Sequence, residues 1–409
     1  MRIKHLSLSN FRNYGRLELP LRDGPTLLVG DNAQGKTNLL EAIYYLATTR
    51  SHHASQDSQL VTWDVAQSKD PLSASRLVAQ VETAEAQRLV EMRLILERRE
   101  NGSSSFRREA LVNRRKVRLM DLLGHLQVVL FLPEDVSLVS GPPAERRRYL
   151  DITLCQVDPV YCRTLSRYNK VLEQRNALLR QLSEGEGSRE VLEILTDKLV
   201  EQGSQILARR AAFFSDIAPD VRRIHFEELT DGRESLSLNY LPRLRLKKNG
   251  TDEADLLDDS KWMIEERSEM AAIAGRFETS LQESIPYDIA RGATSIGPHR
   301  DDWRFWVNGR SLGDYGSRGQ QRSAVLALKM AQIDWMAALT GETPVLLLDE
   351  VLAELDELRR RQLLRYVQKA EQAILTATDP AMFSNEFLQA ATCLSVRQGT
   401  IRPLSEAPA

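Results

Sequence analysis

The eight residues Gly30-Asp31-Asn32-Ala33-Gln34-Gly35-Lys36-Thr37 satisfy the pattern G-x-x-x-x-G-K-[ST] at every fixed position. The chemistry open to that spacing is phosphate binding. Glycines let the backbone turn its N–H groups inward, and a following helix N-terminus adds partial positive charge. Lys36 then reaches the β- and γ-phosphates and Thr37 ligates Mg²⁺. A second set lies far along the chain, where the apolar run Pro344-Val345-Leu346-Leu347-Leu348 ends in Asp349-Glu350. A buried parallel strand whose C-terminal end faces a ligand has this form. Asp349 would hold Mg²⁺ through its water shell, and Glu350 would polarise the water attacking the γ-phosphate. Alone, an apolar strand ending in Asp-Glu is common; behind a phosphate loop it reads as Walker B to a Walker A motif.

Between the two sits Tyr315-Gly316-Ser317-Arg318-Gly319-Gln320-Gln321-Arg322, just before a helical stretch. Ser and Gly there could offer a hydroxyl and N–H groups to a second phosphate site, and they equally suit an ordinary N-cap. Ala353-Glu354-Leu355-Asp356 follows Walker B, and the strand Ala373-Ile374-Leu375-Thr376 runs into Ala377-Thr378-Asp379. His299, within Gly297-Pro298-His299-Arg300-Asp301-Asp302, is a candidate for catalysis or for a structural turn. The remaining histidines show no H-x-x-x-H spacing, and Cys155, Cys162 and Cys393 form no C-x-x-C pair. Buried free thiols are expected rather than a disulfide framework or structural zinc.

Positioning elements follow from periodicity. Thr26-Leu27-Leu28-Val29 is a short buried strand into the phosphate loop, and Leu39, Leu40, Ile43 and Leu46 recur at helical spacing after it. Alternation in Ile3 to Leu8 and in Arg16 to Leu21 predicts two half-buried strands. A β-meander is predicted from Ser75 to Arg118, with a turn at Asn101-Gly102. Val128-Val129-Leu130-Phe131 adds a strand, and Gly141-Pro142-Pro143-Ala144-Glu145 starts a helix. A helical hairpin of modest length follows, broken at Gly185-Glu186-Gly187-Ser188. A β-hairpin is expected around Asp231-Gly232, a loop from Lys247 to Ser260, and a helix from Trp262 to Ser284. Trp303 to Val307 with turn Asn308-Gly309 and a helix from Gln320 to Leu339 complete the pattern.

With 409 residues, 42% hydrophobic and 27% charged, the chain suits a soluble protein of two or three domains. No apolar run approaches ~18 residues, and Met1-Arg2-Ile3-Lys4-His5 lacks a signal-peptide core, so a cytoplasmic protein with no membrane partner is expected. The formal net charge of −2 argues against coating nucleic acid by bulk charge. Local clusters remain: Arg107-Arg108, Arg114-Arg115-Lys116-Arg118, Arg146-Arg147-Arg148 and Arg243-Arg245-Lys247-Lys248. Each by itself also suits a solvated face.

The order of these motifs resembles the SMC-like branch of the ABC-type ATPases, and within it the bacterial recombination mediators. The resemblance covers nearly the whole chain and rests on Asn10-Phe11-Arg12-Asn13-Tyr14, Gly30 to Thr37, Pro133-Glu134-Asp135 with Glu145-Arg146-Arg147-Arg148, Gly297 to Asp302, Ser317 to Arg322 and the Walker B strand. It implies an α/β P-loop ATPase head assembled from both chain ends, residues 1–119 and 292–409, with a mainly helical lobe inserted at 120–291. The cofactors implied are ATP and Mg²⁺. Nucleotide contacts fall on Arg12, Gly30, Asp31, Asn32, Ala33, Gln34, Gly35, Lys36, Thr37 and Asn38, and on Ser317, Gly319 and Gln320 as the signature meeting ATP on a partner subunit. Thr37 and Asp349 take the metal, Glu350 and Asp349 the chemistry, Asp356 the D-loop and Thr378 the switch position. Relatives of transporter type carry His at that switch, and Thr, no base at neutral pH, implies slow hydrolysis; the resemblance implies that it is DNA-dependent. No glutamine loop is identified. The implied partners are double-stranded and gapped DNA, contacted by Arg114, Arg115 and Lys116, a second copy of the chain under ATP, RecR with RecO, and RecA indirectly. An SMC-like DNA nuclease and a self-contained P-loop kinase are the alternatives.

Overall fold

The computed structural model describes residues 1–68, 70–98, 104–246, 253–264 and 269–404. The turn at Asn101-Gly102, the cations Lys247 and Lys248 and the end beyond Leu404 lie outside them. Two compact units emerge, Met1–Asp135 with Gln332–Ala409, and Val136–Ala331. The architecture is mixed α/β, with the nucleotide-loop unit drawn from both ends of the chain. These boundaries differ from 120 and 291 for a reason visible in the pairing. Val128–Phe131 is a strand beside Walker B, and Asp302–Val307 pairs with Leu236–Leu241 of the inserted unit. Strand partners decide membership where a change of periodicity cannot.

In the first unit, one six-stranded sheet runs in the order Thr400–Pro403, Thr392–Arg397, Gly24–Val29, Gln372–Ala377, Val345–Asp349, Val128–Phe131. All neighbours are parallel except the terminal hairpin. Its central strands are apolar on both faces, as a covered parallel sheet demands. The second sheet is antiparallel: Tyr14–Pro20, Arg2–Phe11, Leu72–Glu82, Gln87–Arg98, Ser104–Val112, Arg115–Val117. Helix Lys36–Thr48 shares one core with both sheets. Leu39, Leu40, Ile43 and Leu46 join Leu6, Leu8, Leu77 and Met92 of the antiparallel sheet and Leu28, Val128, Leu347 and Ile374 of the parallel one. A helix buried this fully cannot tilt or slide without opening cavities, which cost ~2–5 kcal/mol for each large side chain exposed to a void.

The inserted unit holds helices Pro143–Val157, Pro159–Ser183, Arg189–Arg223 and Met270–Arg291, with a three-stranded antiparallel sheet of Arg310–Ser311, Asp302–Val307 and Leu236–Leu241. The hairpin helices are 25 and 35 residues long, not modest. The turn between them falls at the expected glycines, where Ser188 caps the second helix by accepting from Val191 N–H. The β-hairpin expected at Asp231-Gly232 is absent: Ile224–Leu229 continues the long helix as a π-helical turn, with Ile224 and His225 buried behind Val221. Three alternating residues were too few to separate strand from helix. The expected loop through Ser260 is also corrected, because Glu253–Ile264 is a helix whose buried Asp259 pairs with Arg245 and Arg276.

Gly297 to Asp302 forms the polar core of this unit. Asp302 takes a two-pronged contact from the buried Arg146, at 2.6 and 3.0 Å. Asp301 accepts from Arg210 at 3.0 Å, from Arg243 N–H at 2.7 Å and from the Tyr240 hydroxyl. His299 is half-buried between Tyr168, whose hydroxyl lies 2.7 Å from Nδ1, and the Thr294 carbonyl, 3.1 Å from Nε2. A carbonyl only accepts, so Nε2 carries the proton and Nδ1 takes the Tyr168 hydrogen. Burial drives the imidazole pKa down to about 3. His299 is therefore a neutral structural residue, and Arg146 an internal tie rather than a surface cation.

Candidate nucleotide site

Parallel pairing brings Val29 level with Ala377, and Asp349 level with Thr376. The C-terminal ends of three adjacent strands therefore deliver Gly30, Thr378 and the Asp349-Glu350 pair to one edge of the sheet, where ligands of such sheets bind. A cleft of about 280 Å³ opens there, lined by residues 31–38, His53, Pro133, Glu134, Asp349 and Glu350. The sequence reading missed His53 and Glu134. Glu134 was reachable, since it follows the strand beside Walker B; no signal in the sequence marks His53.

The loop is fixed from outside. A Cβ at Gly30 would lie 2.4 Å from the Val396 carbonyl oxygen, and Gly35, at φ 116°, would drive one to 2.6 Å from Asn13 Nδ2. The carbonyls of the loop's second half point away from the cleft into partners. Gln34 O accepts from Gly399 N–H and from Asn13 Nδ2, each at 3.0 Å, and Gly35 O accepts from the buried Tyr14 hydroxyl at 2.9 Å. Gln398 N–H closes the frame on Gln34 Oε1 at 2.8 Å, and Asn38 Nδ2 donates to Asn13 Oδ1 at 2.8 Å. With those carbonyls tied outward, the N–H groups are left for the cleft. Asn13 and Tyr14 lie in the first motif of the resemblance, which thus buttresses the loop.

Lys36 is 3% exposed, and its ammonium donates to Gly30 O at 2.5 Å and Asp31 O at 3.1 Å and pairs with Glu350 at 3.0 Å. Glu350 stands at φ 49°, a strained setting for a non-glycine residue, held by its N–H donating to Thr376 Oγ1 at 2.9 Å. The same hydroxyl donates to Asp349 Oδ1 at 2.7 Å. Burial pushes the Asp349 carboxyl up, and hydrogen bonds from Thr376 and Thr37 pull it back in part. Thr376, not foreseen, thus orients both carboxylate residues.

Other expected residues lie elsewhere. Arg12 does not line the cleft: its guanidinium grips the buried Glu41 at 2.7 and 2.8 Å. Burial alone would raise the Glu41 carboxyl, but Arg12 and Ser51 hold it below the usual range. Thr378 is exposed one residue beyond its strand, outside the cleft lining. Asp356 caps helix Glu357–Lys369 through Arg359 N–H. Ser317, Gly319 and Gln320 belong to the inserted unit, where Ser317 Oγ accepts from Gln320 N–H at 3.2 Å and Gln320 Oε1 from Ser317 N–H at 2.9 Å. That reciprocal cap is the N-cap reading of the stretch, with Ser317 exposed. Arg114 closes the two-residue turn after Ser104–Val112, whose Asn113 and Arg114 both have positive φ, Arg115 opens the strand that follows, and both side chains are exposed. They make no hydrogen bond or ion pair among the described residues, whereas Lys116 pairs with Glu109 at 2.9 Å. Arg107 and Arg108 are tied to Glu97, Glu109 and Asp57.

A family profile for the RecF/RecN/SMC N terminal domain matches residues 2–402. The DNA replication and repair protein RecF of Chloroflexus aurantiacus is 42% identical over 98% of this chain and 99% of its own length, and that of Bacillus subtilis 36% over 98% and 100%. The chain belongs to the RecF family. Two solved structures of the recombination mediator protein RecF in the RecFOR pathway superpose on this RecF-family chain. RecF-ATPrS does so with a TM-score of 0.80 at 29% identity over 99% of this chain and 98% of that one, and RecF-ATP with 0.79 at 30% over 98% and 97%. Among the described residues no helix of this RecF relative is long and apolar enough to cross a membrane.

Proposed function

We propose that this chain is an ATP-operated DNA clamp of replication and repair, carried by one observation: Lys36, Asp349, Glu350 and the outward-tied phosphate loop meet in a single cleft. The residues suit MgATP. Thr37 reaches Asp349, a pair of hard oxygen donors of the kind Mg²⁺ takes, and Lys36 lies at the centre of the loop where the β- and γ-phosphates belong. ATP supplies the anhydride bond whose cleavage resets the switch. Glu350 orients and deprotonates the attacking water, and Thr376 fixes its backbone. Thr378 and Asp356 serve as switch and D-loop without offering a base at neutral pH as strong as imidazole. Because Lys36 is paired with Glu350, a phosphate chain that takes over the ammonium releases the carboxylate, which links binding to activation.

The family supports the rest of the reading. Two copies close head to tail on ATP, each presenting Ser317, Gly319 and Gln320 to the other's nucleotide, and the closed dimer holds double-stranded or gapped DNA with the Arg114-Arg115-Lys116 hairpin among its contacts. Hydrolysis is slow and DNA-dependent and opens the clamp. Within the RecFOR pathway, RecR with RecO are the direct partners, RecA loading is the outcome, and the setting is cytoplasmic. The test is DNA binding measured with ATP, with ADP and without nucleotide. ATP alone should give tight binding by wild type, and Lys36→Met should bind equally weakly in all three conditions. Equal DNA affinity in ATP and ADP would defeat the clamp.

A further inference from the structure

The cleft that faces Lys36 also takes in His53, which belongs to none of the nucleotide motifs of the chain. Lys36 and His53 are the two side chains among its described lining residues that can carry positive charge, set against the carboxylates of Asp31, Glu134, Asp349 and Glu350. The imidazole is exposed, and its ring nitrogens make no hydrogen bond or ion pair among the described residues. It lies toward the metal end of the cleft, since charge on its ring is among the influences that lower the Asp349 carboxyl.

Helix Lys36–Thr48 carries the chain away from the cleft, about 20 Å over its 13 residues, so the segment after Thr49 has to double back for His53 to arrive there. Glu41 draws it back. This carboxylate is fully buried and stands five residues after Lys36, about 7–8 Å along the helix axis. It accepts from Ser51 Oγ, which itself accepts from the N–H groups of His53 at 3.0 Å and Ala54 at 2.6 Å. Arg12 grips the same carboxylate, and it also donates from Nη1 to Gln59 O at 3.2 Å and from its backbone N–H to Leu60 O at 2.8 Å. Both limbs of the loop 49–60 therefore hang on Arg12 and Glu41. The His53 ring is backed by His52, with centroids 4.1 Å apart, and His52 meets Tyr44 of the helix in a T-shaped contact. An isolated buried carboxylate is strongly unfavourable. Glu41 is held by two partners, and both of them fix the loop that presents His53.

We infer that His53 donates a hydrogen bond to the terminal phosphate of bound ATP, and that Arg12, Glu41 and Ser51 are positioning residues that act through it. An imidazole has an N–H to offer whether neutral or charged, so the contact does not depend on a titration. ADP lacks the acceptor, so His53 discriminates between the two nucleotides. Arg12 thereby serves the site without touching the nucleotide. The inference rests on the nucleotide reading above and adds what selects ATP there.

The experiment titrates the full chain with the fluorescent N-methylanthraniloyl derivatives of ATP and ADP in Mg²⁺. His53→Ala should weaken the ATP derivative about tenfold or more, as loss of a hydrogen bond to a charged group does, and the ADP derivative by less than about twofold. His53→Gln, which keeps an N–H donor, should recover most of the ATP affinity, and His53→Phe, which keeps only the ring, should not. Ser51→Ala should lower the preference for ATP in the same direction. Combined with His53→Ala it should add nothing further, because it acts through the residue already removed. Thermal melting checks that each variant is folded. Equal losses for the two nucleotides, or full ATP affinity in His53→Phe, would overturn the terminal-phosphate contact and give the ring to stacking. Additive losses in the double variant would overturn the positioning role. Failure of the wild type to bind either derivative would defeat the nucleotide reading itself and this inference with it.

Discussion

Glu350 combines a strained backbone with two restraints, the Thr376 hydroxyl on its N–H and Lys36 on its carboxylate. Glu350→Gln keeps shape and backbone partner but cannot take a proton from water. Turnover should fall by ~10²-fold or more, ATP should bind at least as tightly because Lys36 loses an ionic competitor, and the DNA-bound form should persist. Single-turnover hydrolysis with nucleotide titration checks both, and normal turnover would move the role to another carboxylate. His299 makes the second prediction. Its pKa is about 3 in the fold against 6.5 for a free imidazole. Between those values the unfolded chain holds the extra proton, so stability is complete above pH 6.5 and is lost as pH falls below it, by up to roughly 1.4 kcal/mol per pH unit. His299→Gln should be less stable at pH 7.5 yet flatter from pH 7 to 5 in urea unfolding. Parallel slopes for the two proteins would contradict the neutral assignment.

The Asn113-Arg114 hairpin presents two unpaired guanidinium groups, while neighbouring Lys116 is already engaged by Glu109. If this turn touches DNA phosphates, Arg114→Ala with Arg115→Ala should flatten the salt dependence of log K by about 0.9 for each phosphate no longer neutralised, and Lys116→Ala should add less. An unchanged slope would return the turn to ordinary solvated surface. The sequence made such elements legible where periodicity ran long enough, as in Lys36–Thr48 and the phosphate-loop strand. It failed at Ile224 to Phe226, where three residues could not reveal a π-turn, and at Glu253–Ile264, where acidic composition hid a helix built around Asp259. Site residues were legible when a motif spacing fixed them. Thr376 and Asn13 escaped because their roles depend on strand register and on a hairpin folding back, neither of which leaves a local pattern.

At the scale of the whole molecule, the test of shared sites is arithmetic. Lys36→Met and Ser317→Arg should each abolish hydrolysis in pure form, the latter also losing a helix cap worth about 1 kcal/mol, so its folding must be checked by thermal melting. In a mixed head-to-tail dimer, one site carries both defects and the other neither. At equal concentrations about half the dimers are mixed, so roughly a quarter of wild-type hydrolysis should return if sites act independently. Mixed dimers that form under ATP, shown by crosslinking, and stay inactive would count against the shared site. Full activity of pure Ser317→Arg would favour a self-contained enzyme.

The bracing of Gln34 by Gln398 and Gly399 has a consequence for how the protein is made. The residues that frame the phosphate loop are 364 positions apart, and the strand beside the loop strand, Thr392–Arg397, is likewise synthesised long after it. At ~5–20 residues per second, a ribosome needs roughly 20–70 s to travel from one to the other. Throughout that interval the nascent chain has its lysine and its glycines but no frame to turn the loop carbonyls away. Competence to hold a nucleotide should therefore arrive late and abruptly, so that unfinished chains do not occupy ATP or engage DNA while still attached to the ribosome.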